Sequence, residues 1–161
     1  MEYAHAKPVD PEEWTIIDAE NAILGRLASV VAKRLLKGER IAVINTEKAI
    51  ITGDKRRIKE EWLQKIQRGD PKKGPFYPRR PDLIFRRVVR GMLPWKTSRG
   101  RNAFRRLRAY IGTPRWVEEA DVEPERVAEA DMSRLSRLWY VTLEELSQEL
   151  GYQPPEGALE R

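Results

Sequence analysis

Arginines 86, 87, 90, 99, 101, 105 and 108 crowd one short stretch of the chain, and the chemistry such side chains do best is to pair with anions. A guanidinium presents a planar fork of N–H donors that matches the oxygens of a phosphate two at a time, and lysine adds a compact point charge. The candidates extend beyond that cluster to Lys55, Arg56, Lys72, Lys73, Arg79, Arg80 and Lys96, with Arg26 ahead of the run. Residues 54–116 hold twenty of the thirty-one Lys and Arg but only five of the twenty-five Asp and Glu, a local excess of +15. Residues 1–53 carry −1 and residues 117–161 carry −8, so the net charge of +6 hides a strongly cationic middle. Like charge concentrated in this way opposes the compact state unless a partner neutralises it. Nucleic acid is the leading polyanion, because repeated phosphates engage many cations and release counterions. Phe76 and Tyr77 lie among these cations. Such aromatics either stack bases or anchor a loop to the core, and anchoring is favoured for a loop of this size.

Catalytic chemistry finds little to work with. The chain has no cysteine and one histidine, His5, which excludes thiol nucleophiles, disulfides and histidine-rich metal sites. Glu60 with Glu61, and Glu144 with Glu145, are adjacent and would point in different directions from a helix. Thr52-Gly53-Asp54-Lys55 lacks the glycine spacing of a phosphate-binding loop. No catalytic residue, metal or cofactor is assigned, and no small-molecule substrate. No apolar run approaches membrane-spanning length, and residues 1–13 lack the apolar core of a secretory signal. A cytoplasmic protein is expected.

The elements that would position the cations read as one α/β domain over residues 14–153, with a flexible segment at 1–13 and a mobile tail at 154–161. Residues 14–18 favour a strand. Leu24, Leu27, Ala28, Val31 and Leu35 recur at helical spacing, and Lys33, Arg34, Lys37 and Gly38 suit the end of that helix. Gly25 reads as helix-entry geometry in preference to a phosphate cradle. Ile41–Ile44 is apolar throughout, as a strand covered on both faces would be. Strand, helix and strand make a parallel βαβ unit. Residues 48–52 follow too closely for another crossover, which leaves a hairpin partner or a bent continuation.

Within the basic block, Asp54 is expected to cap a helix buried through Ile58, Trp62 and Ile66. Residues 69–81 hold four prolines and two glycines, so an irregular loop is expected. Pro81 can open a helix with Ile84, Phe85, Val88, Val89, Met92 and Leu93 inward and Arg86, Arg87 and Arg90 opposite. After Pro94 a further helix is read, with Phe104, Leu107 and Ile111 inward and Arg101, Arg105 and Arg108 as an outward stripe. An acidic, solvated connection near 118–131 leads to a strand at 138–141. Thr142 then caps a helix buried through Leu143, Leu146 and Leu150, with Glu145 at the capping-box position.

Val89-Arg90-Gly91-Met92-Leu93-Pro94, Gly100-Arg101 and Leu107-Arg108-Ala109-Tyr110-Ile111-Gly112 resemble, in type and spacing, the signature of the universal large-subunit ribosomal protein thirteen family. Asp18-Ala19, Gly25-Arg26-Leu27-Ala28-Ser29, Ile44-Asn45 and Ile51-Thr52-Gly53 are similar to its N-terminal half, so the resemblance covers residues 14–116. Pro78, Arg80 and the acidic tail look closer to the archaeal and eukaryotic branch than to the bacterial one. The resemblance implies a three-layer α/β/α domain with a small, mainly parallel sheet of about four strands. It implies a structural constituent of the large ribosomal subunit that binds rRNA and supports early assembly beside neighbouring ribosomal proteins. Arg26, Arg90, Arg101 and Arg108 fall within matching motifs, and the other cations are assigned by charge alone. Gly91 and Gly112 are expected to serve close packing and chain reversal. The alternative is a free regulatory protein acting on messenger RNA, and a DNA-binding role ranks third because no helix-turn-helix or zinc finger is evident.

Overall fold

The computed structural model of the chain describes residues 7–154. His5 and the expected tail beyond Pro154 lie outside the described residues. In chain order the elements are β1 (Thr15–Asp18), α1 (Leu24–Leu36), β2 (Ile41–Ile44), β3 (Ile50–Thr52), α2 (Lys55–Gln67), α3 (Pro81–Met92), α4 (Ser98–Arg105), β4 (Leu107–Ala109), α5 (Arg115–Glu119), β5 (Tyr140–Thr142) and α6 (Leu143–Glu149).

All four residues of β2 are buried, because β2 is the central strand of a parallel sheet in the order β1-β2-β4 and is covered on both faces. Side chains alternate across it. Ile41 and Val43 enter a large cluster with Leu27, Val31 and Leu35 of α1 and Ile84, Phe85 and Val89 of α3. Ala42 and Ile44 enter a smaller one with Ile16, Tyr110 and Val117, sealed by Trp14, Trp116 and Val122. The expected three layers are present but unequal, since α5 and the segment around Val9 cover the second face. The α1 stripe is buried as its spacing predicts, and Gly38 closes the helix at φ 101°.

Two expectations are corrected. The helix read across 104–111 stops at Arg105, and Leu107–Ala109 is instead the third parallel strand. Phe104, Leu107 and Ile111 match a helical period, but a helix end running straight into a strand produces the same spacing. The backbone decides: Ile41 N–H donates to the Arg106 carbonyl and Tyr110 N–H to that of Val43. Residues 48–52 form neither a hairpin with β2 nor its continuation. Asn45, at φ 54°, and a 3-10 turn over Thr46–Lys48 redirect the chain, and β3 pairs antiparallel with β5, ninety residues on, in a separate two-stranded sheet. The small, mainly parallel sheet expected is thus present, as three parallel strands with β3 and β5 as a separate antiparallel pair.

Residues 118–131 also do more than connect elements. Glu125 pairs with the outer edge of β1, donating to the Ile16 carbonyl at 2.8 Å and accepting from Asp18 N–H at 2.9 Å. Ala130 is fully buried. Beyond them the capping expectation holds: the Thr142 hydroxyl accepts from Glu145 N–H at 3.2 Å, and Leu143, Leu146 and Leu150 are buried.

Candidate nucleic-acid interface

The cations of the basic block divide into two populations. On α2, Asp54 caps the helix through Arg57 N–H at 3.0 Å, and Ile58 and Trp62 are buried while Ile66 is half-buried. Its charged side chains then find local carboxylates: Arg56 with Glu60 and Arg57 with Glu61, each at 3.1 Å, Lys55 with Glu145 at 3.2 Å, and Lys59 with Glu149. The Lys59 hydrogen bond and charge hold the Glu149 carboxyl below its ordinary value. The acidic C-terminal third thus supplies partners for two cations of α2, while Arg56 and Arg57 pair within the helix and Lys65 lies over the Trp62 ring. Chain order concealed this, because α6 lies some ninety residues further on.

From residue 72 onward the picture changes. Lys72, Lys73 and Arg79 are exposed in the loop, and Lys96, Arg99, Arg101 and Arg105 are exposed on and before α4. None of these seven makes an ion pair among the described residues. The loop has a fixed base, where Asp70 and Gly74 exchange backbone hydrogen bonds of 3.1 and 2.8 Å and Lys72 N–H donates to the Asp70 carboxylate at 2.9 Å. Tyr77 packs on the core as expected, but Phe76 does not: it is 73% exposed. One aromatic anchor suffices here, and the second ring is left in solvent among the cations.

The arginines of α3 lie off its buried stripe, but that side of the helix is not fully solvated. Arg86, Arg87 and Arg90 are half-buried and lie over aromatic rings, Phe104 at 4.8 Å, Tyr77 at 5.0 Å and Trp95 at 4.1 Å. The inward face reaches Val89 and Leu93, whereas Met92 is 43% exposed. Arg80 forks onto the buried Asp82 with contacts of 2.6 and 3.2 Å. Arg108 belongs to β4, not to a helical stripe. Its guanidinium donates to the carbonyls of Arg105 and Leu107 at 3.0 and 3.1 Å and lies 5.6 Å from the Trp14 ring. Arg101 donates to the carbonyls of Trp95 and Lys96 at 3.2 and 3.1 Å, bracing the turn that starts α4. Arg26 is exposed in the first turn of α1, beside an equally exposed Gly25.

Close packing in the signature falls on Gly100 rather than Gly91. A Cβ on Gly100 would lie 2.1 Å from the Pro94 carbonyl oxygen, while one on Gly91 would meet nothing within 4 Å. Gly112 reverses the chain at φ 70°, and its N–H donates to Glu47 at 2.9 Å. Burial raises the Glu47 carboxyl, an effect opposed by that hydrogen bond.

In open α/β folds, ligands commonly bind beyond the carboxyl ends of the strands. Here that edge is filled by the protein itself. Asp18 accepts from the Asn45 amide at 3.0 Å and from Arg126 at 3.2 Å, and the Thr113 hydroxyl donates to Asn45 at 3.3 Å. Among the described residues no His, Asp or Glu cluster could hold a metal ion, and no helix is long and apolar enough to cross a membrane.

The fold and its surface thus define a small α/β domain built around a cationic loop-and-helix face. The chain belongs to the ribosomal protein L13 family, whose model matches residues 12–115. It is 88% identical over 157 residues to the large ribosomal subunit protein uL13 of Methanopyrus kandleri, covering 98% of this chain and 99% of that one. The proteins of the same name from Archaeoglobus fulgidus and Haloarcula marismortui are 50% and 45% identical, over 88% and 84% of this chain and 90% of each relative. The archaeal character expected from Pro78, Arg80 and the acidic tail agrees with these relatives. Their names describe ribosomal proteins, not enzymes.

Proposed function

We propose that the chain is a structural constituent of the large ribosomal subunit in the cytoplasm, that it binds rRNA through the face formed by the 69–80 loop, α3, α4 and β4, and that it supports early subunit assembly. The observation that carries this reading is the division of charge. Lys55, Arg56, Arg57 and Lys59 of α2 have carboxylate partners, whereas Lys72, Lys73, Arg79, Lys96, Arg99, Arg101 and Arg105 are exposed and have none among the described residues. Unpaired cations of this density suit a lattice of phosphates. Lys55 and Arg56 fall outside the face, since each already holds a carboxylate. Arg26, exposed at the start of α1, is a separate contact.

Most base contacts in RNA recognition involve unstacked nucleotides, and the open ring of Phe76 suits one. The acidic third suits a neighbouring ribosomal protein better than RNA. It exposes Leu138 and Trp139, at 78% and 56%, where β5 begins. Co-sedimentation tests the reading. Stoichiometric association with large subunits or their assembly intermediates is expected. Association with messenger RNA alone, and with no stage of the large subunit, would overturn it in favour of a free regulatory protein.

A further inference from the structure

A hollow of about 390 Å³ opens where α3, β4 and the N-terminal segment meet. Lys7, Arg80, Asp82, Leu83, Arg86 and Arg108 line it. Its one carboxylate is already taken, because Asp82 receives both hydrogen bonds of the Arg80 fork. That leaves Lys7, Arg86 and Arg108 converging from three separate elements with no ion pair among the described residues, and Asp82 as the one nearby negative charge. Lys7 is fixed at the rim by its own backbone, whose carbonyl accepts from the Tyr110 hydroxyl at 2.6 Å. Arg108 spends Nη1 on two carbonyls, and its Nε and Nη2 make no hydrogen bond among the described residues.

Arg86 is the informative member. Its Nε, like that of Arg106, is buried and has no hydrogen-bond partner among the described residues, a condition uncommon for a donor in a folded protein. The Phe104 ring covers its guanidinium at 4.8 Å. Burial, and then the nearby Arg108, pulls its pKa below the ordinary arginine value, with Asp82 opposing the shift. A charge held where burial and a like-charged neighbour both disfavour it indicates a site arranged for an anion.

We propose that this hollow is a seat for one tetrahedral phosphate, supplied by the RNA backbone and held by Lys7, Arg86 and Arg108. A phosphate has enough acceptor oxygens to engage cations from three directions, which a carboxylate fork does not. The seat adjoins the cationic face through α3 and β4, so an RNA strand crossing that face can place a phosphodiester in it. This inference rests on the rRNA-binding reading for the source of the phosphate, but the chemistry of the hollow is testable without RNA.

The test uses the full chain and compares K7Q/R108Q with K33Q/K37Q, which removes two exposed cations at the end of α1. In the first arm the probe is inorganic phosphate against chloride at matched ionic strength, followed by thermal midpoint and by the phosphorus NMR line width. Phosphate should raise the midpoint and broaden the line for the wild type and K33Q/K37Q, but not for K7Q/R108Q. A wild type indifferent to phosphate, or a K7Q/R108Q variant that responds like it, overturns the seat. R86K, which keeps the charge but lacks the Nε donor, should respond weakly, and an undiminished response counts against Arg86. In the second arm the probe is a large-subunit rRNA fragment. K7Q/R108Q should bind at least about tenfold more weakly than K33Q/K37Q, as expected when two charge-assisted contacts to one phosphate are lost. Equal affinity of the two variants overturns the backbone as the source. A wild type that binds no rRNA overturns the functional reading instead, and the phosphate arm alone then decides the hollow.

Discussion

The guanidinium of Arg90 lies 4.1 Å from the centre of the Trp95 ring. Trp95 in turn meets Phe104 edge to face at 5.2 Å, and Phe104 carries Arg86 on its own face. Cations and rings thus alternate in a chain that ties α3 to α4. The rings hold the guanidiniums in place, so on the proposed reading the contacts that join these helices also position the cations for RNA.

Trp95→Leu should break this chain at its middle. Loss of one aromatic pair and one cation–ring contact is worth about 1–3 kcal/mol, to be read as a lower urea midpoint. Affinity for rRNA should fall with it even under conditions where the variant is fully folded. A variant equal to the wild type in both would show that Arg90 and Arg86 are positioned by other contacts.

The two glycines of the signature should respond in opposite directions. Gly100→Ala drives a methyl into the Pro94 carbonyl and should destabilise by about 1–3 kcal/mol. Gly91→Ala places a methyl in open space on α3 and should leave stability unchanged or raise it by about 0.5–1 kcal/mol, since glycine is a poor helix former. Chemical denaturation of both variants checks the pair, and a destabilised Gly91→Ala would contradict the assignment.

Burial pushes the Tyr110 phenol from 10.0 up to about 12, the nearby Arg108 opposing the shift. The folded state therefore holds this proton more tightly than the unfolded chain does. Its contribution is fully present below pH 10 and is lost as the pH climbs from about 10 to about 12. Stability measured over that window should fall for the wild type. Tyr110→Phe should lose about 1 kcal/mol at neutral pH, with its hydrogen bond to Lys7, and should show a flatter alkaline limb. Parallel limbs would mean that another group governs the decline.

Much of the fold was legible because its signals are local. The α1 stripe, the all-apolar β2, the Asp54 and Thr142 caps and the Pro81 start each arise within a few residues. What could not be read depends on distant pairing. Leu107–Ala109 matches a helical period, and only its hydrogen bonds to β2 make it a strand. Likewise β3 pairs with β5, some ninety residues on, a contact that no local signal encodes. The cationic block was visible as composition. Its partition was not, because Glu145 and Glu149 reach Lys55 and Lys59 only once α6 docks. Phe76 and Tyr77 are adjacent in sequence, and nothing local tells which turns inward.

If about six to ten cations contact phosphates, affinity for rRNA should fall by roughly three to five orders of magnitude between 50 and 200 mM salt. Replacing Arg99 and Arg105, both exposed on α4, by Gln should reduce the slope of log affinity against log salt by about 2 and leave the urea midpoint unchanged. A flat salt dependence would contradict phosphate contact, and an unfolded double variant would make those arginines structural.

The division between paired and unpaired cations is tested most directly by lysine footprinting of the chain, free and bound to large-subunit rRNA, with an amine-acetylating reagent. Lys72, Lys73 and Lys96 should become protected on binding, while Lys55 and Lys59, held by the carboxylates of α6, should react alike in both states. Protection of Lys55 and Lys59 with Lys72, Lys73 and Lys96 left reactive would place the RNA on the opposite population and contradict the account.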